Sequence, residues 1–227
     1  MIYAMSDLHL YNTTKKNMDI FGKIWENHMD KIKQNWPLTE SDTIIIPGDI
    51  SWGLKLSEAE GDIAYIDSLP GKKILLKGNH DLWWNSAKKL DDLLKKYKSI
   101  SYIFNNSIEV ENVTICGTRG WDINSFSDED KQVLLREAMR LERSINYNIQ
   151  NTEKIVFMHY PPILKDSTSN IFLDIFKKYN IKKVYFGHLH GDAINNAILG
   201  EYNGISFKNI AADQLNFSPM VVKGEKI

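Results

Sequence analysis

The most constraining feature of this sequence is an apolar run that stops at a cluster of polar side chains. Residues 74–76, Ile-Leu-Leu, form a run with the length of a buried strand, which ends before a glycine at position 78. Residues 79–81, Asn-His-Asp, follow immediately. A strand that delivers polar groups just beyond its carboxyl end is typical of a ligand site in an open α/β sheet. This stretch therefore predicts both a fold class and a site.

Four other segments repeat this design. Short apolar strands are predicted at residues 2–6, 43–47, 154–158 and 183–186, and each is soon followed by an aspartate or a histidine. The strand ends together carry Asp7, His9, Asp49, Asn79, His80, His159, His188 and His190. Of the six histidines in the chain, only His28 lies elsewhere, in a predicted helix. Imidazole, carboxylate and amide ligands in this mixture suit Mn, Fe or Zn ions better than calcium.

The strands alternate with segments of helical periodicity, which predicts an α/β core. Helices are predicted at residues 17–36, from a capping box of Ser57 and Glu60 to residue 69, at 86–97, at 127–148 with Ser127 as the cap, and at 170–179. Short alternating segments after residue 191 predict antiparallel strands that form a second sheet beside the first. The expected fold is a two-sheet β-sandwich flanked by helices, in four α/β/β/α layers.

In order and spacing, the motifs at the strand ends resemble those of the calcineurin-like metallophosphoesterases. The matching blocks are DLH at 7–9, GD at 48–49, GNHD at 78–81, His159, and GHLH at 187–190. Each block alone is weak, whereas the ordered set spans most of the chain and is specific. The resemblance implies a sandwich with a dinuclear metal centre at the strand ends. It implies these ligands: Asp7, His9 and His190 for one ion, Asn79, His159 and His188 for the other, and Asp49 as the bridge.

Such a centre has a clear chemical use. Two cations about 3.5–4 Å apart acidify a bridging water, bind phosphoryl oxygens and stabilise the charge of an in-line displacement. A carboxylate is needed at the bridge because its negative charge offsets the repulsion between the cations. In this interpretation His80 is not a ligand; it contacts the phosphate or protonates the leaving oxygen. The expected cofactors are two divalent or trivalent ions of Mn, Fe or Zn.

One position departs from the family pattern. Many members carry a carboxylate three residues after the bridging aspartate, where it can orient the catalytic histidine, and here that residue is Trp52. His80 must then use another partner, for which the adjacent Asp81 is a candidate catalytic residue, or act without one. Asp81 is equally compatible with a place near the start of the following helix. The departure weakens an assignment to the protein serine/threonine phosphatases and leaves the metal site unaffected.

Three further side chains are candidates for substrate binding. Arg119 and Trp121 lie in a glycine-flanked loop after a predicted strand, and Tyr160 follows His159. A guanidinium can bind a phosphate bidentately, and an indole can stack on a base. The alternative is a solvated loop with a packed tryptophan. If Arg119 binds substrate, Arg119→Ala raises KM and leaves the metal content intact.

Composition narrows the class of protein. With 227 residues, of which 43% are hydrophobic, the chain suits one domain that spans residues 1–227. Its net charge of −1 gives no electrostatic case for nucleic acid or an anionic membrane. Cys116 is the only cysteine, so neither an internal disulfide nor a thiolate zinc cluster is expected. The N-terminus reaches Asp7 before a signal-peptide core can form, which predicts a cytoplasmic protein.

The sequence therefore predicts a metal-dependent phosphohydrolase that cleaves a phosphoester by attack of a metal-bridging hydroxide. The expected substrate is a small phosphodiester, nucleotide or phosphomonoester, and the sequence does not specify the oligomeric state. Two alternatives stay open. A nuclease of the same fold would need a basic surface, which is not evident. A non-catalytic binding or scaffold module would be expected to have lost ligands or His80, and all of these are present.

Overall fold

The computed structural model describes residues 1–14, 16–124, 127–148, 152–167 and 169–224. Within these residues the chain forms two β-sheets with helices beside them. The strands are β1 (Ile2–Ala4), β2 (Thr43–Pro47), β3 (Lys72–Leu76), β4 (Ile100–Tyr102), β5 (Ile108–Val110), β6 (Val113–Thr118), β7 (Glu153–Met158), β8 (Lys183–Phe186), β9 (Gly200–Tyr202), β10 (Ile205–Asn209) and β11 (Met220–Lys223). The α-helices are α1 (His28–Gln34), α2 (Leu56–Ser68), α3 (Ala87–Leu94), α4 (Asp128–Tyr147) and α5 (Ile171–Lys178). Short 3₁₀ helices span Asp19–Phe21, Lys23–Trp25 and Gly191–Asn196.

Both sheets are mixed, with a parallel centre. In the described residues the first sheet has the order β11-β1-β2-β3-β4, and the second has the order β5-β6-β7-β8-β10-β9. Strands β1 to β4 are parallel to one another, as are β6, β7, β8 and β10. The antiparallel pairs lie at the edges, where β11 pairs with β1, β5 with β6, and β9 with β10. The carboxyl ends of the parallel strands therefore meet at one edge of each sheet.

The layers follow from the alternation of side chains along each strand. On β2, Ile45 packs between the two sheets, whereas Ile44 and Ile46 pack outward in a cluster with residues of α1, α2 and α3. On β7, Phe157 faces the other sheet, and Val156 faces a cluster with α4 and α5. Period-two alternation thus gives each sheet two apolar faces, one for its partner sheet and one for helices. The predicted two-sheet sandwich flanked by helices is confirmed.

The helix predicted at residues 17–36 is wrong over its first half. Residues 19–25 form two 3₁₀ turns separated by Gly22, whose φ of 121° is incompatible with a continuous helix, and α1 begins only at His28. Two apolar residues that fitted the helical spacing, Phe21 and Ile24, are 57% and 43% exposed. The spacing counted them as core residues, but they lie on the surface of a cleft described below.

Two smaller predictions also need correction. Helix α2 begins at Leu56, without a capping bond from Ser57. The carboxylate of Glu58 accepts a hydrogen bond from the Leu54 backbone amide (2.8 Å), and Glu60 instead pairs with Lys96. The C-terminal strands do not form a sheet of their own, because β11 joins the first sheet while β9 and β10 extend the second. No helix in the described parts of the chain is long and apolar enough to cross a membrane.

Candidate metal centre

The strand ends of the two sheets meet at one place. Backbone bonds tie the end of β1 to the end of β10 in the other sheet: Ser6 N donates to Ile210 O (2.8 Å), and Ala212 N donates to Ser6 O (3.0 Å). The approach is so close that a Cβ on Gly78 would overlap the Asp49 carboxylate. Gly78, which follows β3, is thus needed so that the loops after β2 and β3 can pack against each other.

Several residues at these ends have a strained backbone. Asp7, His9, Asp49 and His188 have φ values of 60°, 46°, 50° and 67°, in the left-handed region. Such a conformation costs on the order of 1–3 kcal/mol per non-glycine residue, and it persists only where the surrounding structure holds it. Strain of this kind concentrates at functional sites, and here it falls on four of the predicted ligands.

A first group of predicted ligands consists of Asp7, His9 and His190. Their donor atoms all lie within 4.8 Å of one another. His190 Nε2 is 3.3 Å from Asp7 Oδ1 and 3.4 Å from His9 Nε2. Asp7 is held in place by the hydroxyl of Ser6 and by the backbone amide of His188, which donates to its carboxylate.

A second group consists of Asn79, His159 and His188. The Asn79 Oδ1 atom is 2.6 Å from His159 Nε2 and 3.0 Å from His188 Nδ1. The other nitrogen of His159, Nδ1, lies 3.2 Å from the carbonyl oxygen of Pro47. An N–H at Nδ1 that donates to this carbonyl leaves a lone pair at Nε2, as metal-ligating histidines require.

Asp49 lies between the two groups. Its Oδ2 is 3.9 Å from His9 Nε2 in the first group, and its Oδ1 is 3.5 Å from His159 Nε2 in the second. Asp7, Asp49 and His159 also form a cluster whose donor atoms lie within 4.8 Å of one another. The two oxygens of one buried carboxylate thus lie near different groups of predicted ligands, which is compatible with a bridging position.

The donor set fits bound cations. Once Nδ1 of His159 carries the proton, Nε2 and Asn79 Oδ1 are two acceptors in contact, and a positive charge between them relieves their repulsion. Asp7 and Asp49 are two buried carboxylates that lie close together, and a bound cation would likewise reduce the repulsion between them. Hard and borderline divalent ions bind this mixture of imidazole nitrogen, carboxylate and amide oxygen.

The pKa values of the cluster also indicate that positive charge stabilises this group of carboxylates. Burial and the negative charges of Asp7 and Asp81 raise the pKa of Asp49 to about 9. Burial opposes a charge on His190, yet its hydrogen bonds to Asp213 and Asp7 raise the pKa of this residue to about 10. Burial lowers the pKa of His188 to about 3. Protons on Asp49 and His190 thus offset the carboxylate charge, and bound cations would displace them.

Asp213 is a functional candidate that the sequence motifs missed. Its Oδ1 lies 2.7 Å from His190 Nδ1, and its Oδ2 accepts a hydrogen bond from Gly191 N (3.0 Å). This carboxylate fixes the orientation of the His190 ring and leaves Nε2 directed at Asp7. A signal was present, because Asp213 follows a buried apolar run just beyond β10, which is parallel to β8.

His28 also supports the centre. Its Nε2 lies 3.1 Å from Leu8 O and 3.2 Å from His9 O, and the residue is fully buried at the start of α1. The sequence predicted only a helix residue here. In the structure His28 contacts the backbone carbonyl of His9, a predicted ligand, and not the side chain of any predicted ligand.

His80 lies at the mouth of the centre. Its side chain is 46% exposed, and its Nε2 is 4.0 Å from Asp49 Oδ2. The ring packs against Trp52, with 4.5 Å between the ring centroids, while Trp52 stacks on His9 at 4.9 Å. The residue that replaces the family's carboxylate therefore contacts both a predicted ligand and the predicted catalytic histidine.

Asp81 is fully buried beneath the site. Its carboxylate accepts hydrogen bonds from the backbone amides of Ile50 (2.9 Å) and Gly78 (2.8 Å) and from Trp83 Nε1 (2.9 Å). It therefore joins the loops after β2 and β3. The helix-start alternative does not describe these contacts, since α3 begins at Ala87 with Ser86 as its cap.

The three predicted substrate-binding residues form a chain of contacts. The Tyr160 ring is 4.1 Å from the His188 ring, Trp121 is 5.7 Å from Tyr160, and the Arg119 guanidinium lies 4.6 Å from the Trp121 ring. Arg119 Nη2 is 3.6 Å from the buried carboxylate of Glu137. The predicted role of Arg119 thus requires a substrate that extends beyond Tyr160.

Arg119 lines a cavity of about 180 Å³ with Lys77 and Arg140, separate from the cleft that contains the predicted ligands. That cleft has a volume of about 310 Å³. One side consists of His9, Asp49, His80, His188, His190, Gly191 and Asp213. The remaining lining residues, which we call the apolar wall, are Met18, Phe21, Ile24, Trp25 and Trp52.

Comparisons with known proteins show the family of this chain. The profile of the calcineurin-like phosphoesterases matches residues 1–192 of the chain. The chain belongs to this family. A curated relative from Xenorhabdus bovienii, named a probable cyclic nucleotide phosphodiesterase, is 25% identical over 202 residues, which are 83% of this chain and 78% of the relative.

Solved structures share the fold at low identity. A phosphopantetheinyl hydrolase from Mycobacterium tuberculosis superposes with a TM-score of 0.61 at 13% identity, covering 100% of this chain and 97% of that one. The TT1561 protein of Thermus thermophilus superposes with a TM-score of 0.55 at 14% identity, covering 85% of this chain and 84% of that one. Membership in the family supports a hydrolase of phosphoesters that uses divalent metals.

Proposed function

We propose that this member of the calcineurin-like phosphoesterases is a dinuclear-metal hydrolase that cleaves a small phosphodiester. The observation that carries this proposal is the position of Asp49, whose two oxygens face two separate groups of ligands. The proposed ligands are Asp7, His9 and His190 in one group, Asn79, His159 and His188 in the other, and Asp49 in both.

Two divalent cations in these groups would activate water and stabilise the charge on the phosphoryl oxygens. The protein's own residues determine the geometry. Asp213 and the Pro47 carbonyl orient His190 and His159, so that in each ring the other nitrogen is turned inward. Asp81 joins the two loops that carry Asp49 and Asn79, and we assign it a positioning role rather than contact with substrate.

We assign His80 to contact with the substrate. It is the most exposed of the histidines beside Asp49, and its Nε2 faces the cleft 4.0 Å from the Asp49 carboxylate. From this position the imidazole can donate a hydrogen bond to a phosphoryl oxygen or a proton to the leaving oxygen. In the overall reaction water supplies the new oxygen on phosphorus, the bond from phosphorus to the leaving oxygen breaks, and that oxygen takes up a proton.

Three observations favour a small diester. The cleft of about 310 Å³ is at the lower end of the volumes typical of small-molecule sites. The curated relative is named a probable cyclic nucleotide phosphodiesterase, and a protein of the same fold is named a phosphopantetheinyl hydrolase. The net charge of −1 offers no broad basic surface for a nucleic-acid polymer.

The test combines metal analysis with hydrolysis assays. The purified protein is loaded with Mn²⁺, its metal content is measured, and it is assayed with bis(4-nitrophenyl) phosphate and 4-nitrophenyl phosphate. We expect about two ions per chain and faster hydrolysis of the diester. Faster hydrolysis of the monoester would change the substrate class. Bound metal without hydrolysis of either ester would favour a binding module, and absence of metal binding would contradict the proposal.

A further inference from the structure

The apolar wall lines the same cleft as the proposed reaction centre. Its five members share this lining with His80, His188 and His190. A phosphoryl group placed at the ligands can therefore direct one of its ester groups along this wall. We propose that the apolar wall selects phosphodiesters in which that ester group carries a planar, weakly polar ring. The inference rests on the proposed function and names the class of substrate for that site.

The exposure of the wall is the first support. Phe21 is 57% exposed and Ile24 is 43% exposed, although both are large apolar side chains. Neighbouring apolar side chains that stay in contact with water inside a cleft mark a surface for a ligand. Burial of their apolar area by a substrate ring would be favourable because it removes both surfaces from water.

The local backbone is built to present these two side chains. Hydrogen bonds from Phe21 N to Met18 O (2.9 Å) and from Trp25 N to Gly22 O (3.0 Å) close two successive 3₁₀ turns. Trp25 anchors the second turn, since it is 2% exposed. Its ring packs edge-on against Phe217, with 5.2 Å between the ring centroids. The turns are thus fixed from beneath, while Phe21 and Ile24 are left on the surface of the cleft.

Aromatic side chains of the wall adjoin the proposed reaction centre. Trp25 lies edge-on to His9 at 5.7 Å and to His190 at 5.4 Å, and Trp52 lies against His80. Two indoles therefore connect the wall directly to the proposed ligands and to the proposed catalytic histidine. Aromatic rings in offset or edge-on contact gain about 0.5–1.5 kcal/mol beyond the burial of area.

A positive charge lies on the wall. The ammonium of Lys16 is 3.4 Å from the centroid of the Trp52 ring. The same indole packs against His80. Lys16 can thus attract the anionic centre of a diester whose ring lies along the wall. A cationic group beside an apolar surface suits an ester that is both charged and apolar better than a purely polar one.

Binding of simple phosphonates tests this inference without requiring turnover. The Mn²⁺-loaded protein is titrated calorimetrically with inorganic phosphate, methylphosphonate and phenylphosphonate. We expect phenylphosphonate to bind about 10-fold more tightly than methylphosphonate, as partial burial of one ring predicts. In a Phe21→Ser/Ile24→Ser variant this ratio should fall below about 3-fold while the affinity for methylphosphonate stays unchanged.

Two further variants sharpen the test. Leu135→Ser/Met139→Ser removes two apolar side chains of α4 that are 48% and 54% exposed but do not line the cleft, and it should keep the wild-type ratio. Lys16→Met should weaken all three anions by a similar factor of about 2–5 and leave the ratio intact, as removal of one exposed charge predicts.

The outcomes separate this inference from the proposed function. Equal affinity for both phosphonates in the wild type would overturn the role of the wall. A preference for phenylphosphonate that survives in the Phe21→Ser/Ile24→Ser variant would also overturn it. In either case, binding of inorganic phosphate would still support the metal centre. Failure of all three anions to bind would overturn the proposed function and this inference with it.

Discussion

The two sides of the cleft are built on opposite principles. The ligand side comes from loops that directly follow parallel strands, with Asp7 and His159 fully buried and several residues held in the left-handed region. The apolar wall comes mainly from two 3₁₀ turns between β1 and α1, with Phe21 and Ile24 exposed. In the proposed function the sheets position the groups that carry out chemistry, and an irregular segment supplies a surface for the rest of the substrate.

This difference separates reaction from selectivity. The ligands share hydrogen bonds with one another and with the backbone, so a change in one disturbs the others. Phe21 and Ile24 are exposed side chains on turns whose anchor is Trp25. Their replacement should alter what the protein binds without altering the metal centre.

The largest effect is expected from Asp49→Asn on the ligand side. The substitution keeps the shape of the side chain but removes the charge that faces both groups of ligands. By analogy with the loss of one partner from a buried ion pair, about 3–5 kcal/mol of metal binding, or roughly 10²–10³-fold or more in affinity, should be lost. Metal content after dialysis and the rate of diester hydrolysis measure this. Full retention of two ions would remove Asp49 from the bridging position.

A large effect on catalysis alone is expected from His80→Ala. His80 contacts the centre from the exposed side and is not among the proposed ligands, so the metal content should stay at the wild-type level. The turnover rate should fall by about 10²–10⁴-fold, the usual contribution of a general acid or base. Steady-state kinetics with parallel metal analysis measure this, and a variant that loses metal would show that His80 is a ligand.

An intermediate effect is expected from Asp213→Asn. The change removes the carboxylate that orients His190, and loss of such a partner lowers metal affinity by about 10–100-fold. It also changes the pH dependence. In the metal-free protein His190, with a pKa of about 10, keeps its proton at neutral pH, so metal must displace it and apparent affinity rises as pH increases towards that value.

Without the Asp213 charge the pKa of His190 falls, so the rise of affinity with pH levels off at a lower pH. Titrations with Mn²⁺ at several pH values measure both effects. Asp192→Asn is the matched control, because this exposed carboxylate is two residues from His190 in the sequence but does not line the cleft. Equal behaviour of the two variants would show that Asp213 does not act on His190.

The smallest effect is expected from Trp52, which joins the two sides of the cleft. Trp52→Leu removes the ring that packs against His80, and a single aromatic contact contributes about 0.5–1.5 kcal/mol, which is roughly 2–10-fold in rate. The loss should appear in kcat, with little change in metal content. Trp52→Phe should restore most of the rate, whereas equal loss in both variants would show that ring contact does not position His80.

Sequence and structure agree where the predicted site residues directly follow a buried strand. Thr43–Pro47 and Lys183–Phe186 were predicted with their observed bounds, and Ser127 caps α4 as expected, accepting a hydrogen bond from Asp130 N. The predicted ligands could be found because each lies within a few residues of an apolar run. Strands that end at the same edge bring such residues together whatever the details of the helices.

The features that the sequence did not reveal depend on contacts between distant segments. The carboxylate of Asp213 acquires a role only because β10 lies beside β8, and no local motif marks that pairing. Phe21 and Ile24 fit a helical period, but periodicity cannot show whether an apolar residue is covered by core or by a cleft. Strands β4 and β5 were missed because each is short and only partly buried, with one polar residue among three.

The most direct test of the account is a crystal structure of the Mn²⁺-loaded protein with anomalous data collected at the manganese absorption edge. We predict two anomalous peaks. The first should be bound by Asp7, His9 and His190, the second by Asn79, His159 and His188, and Asp49 should contact both. A single peak, peaks outside the cleft, or an Asp49 that contacts neither ion would contradict the account.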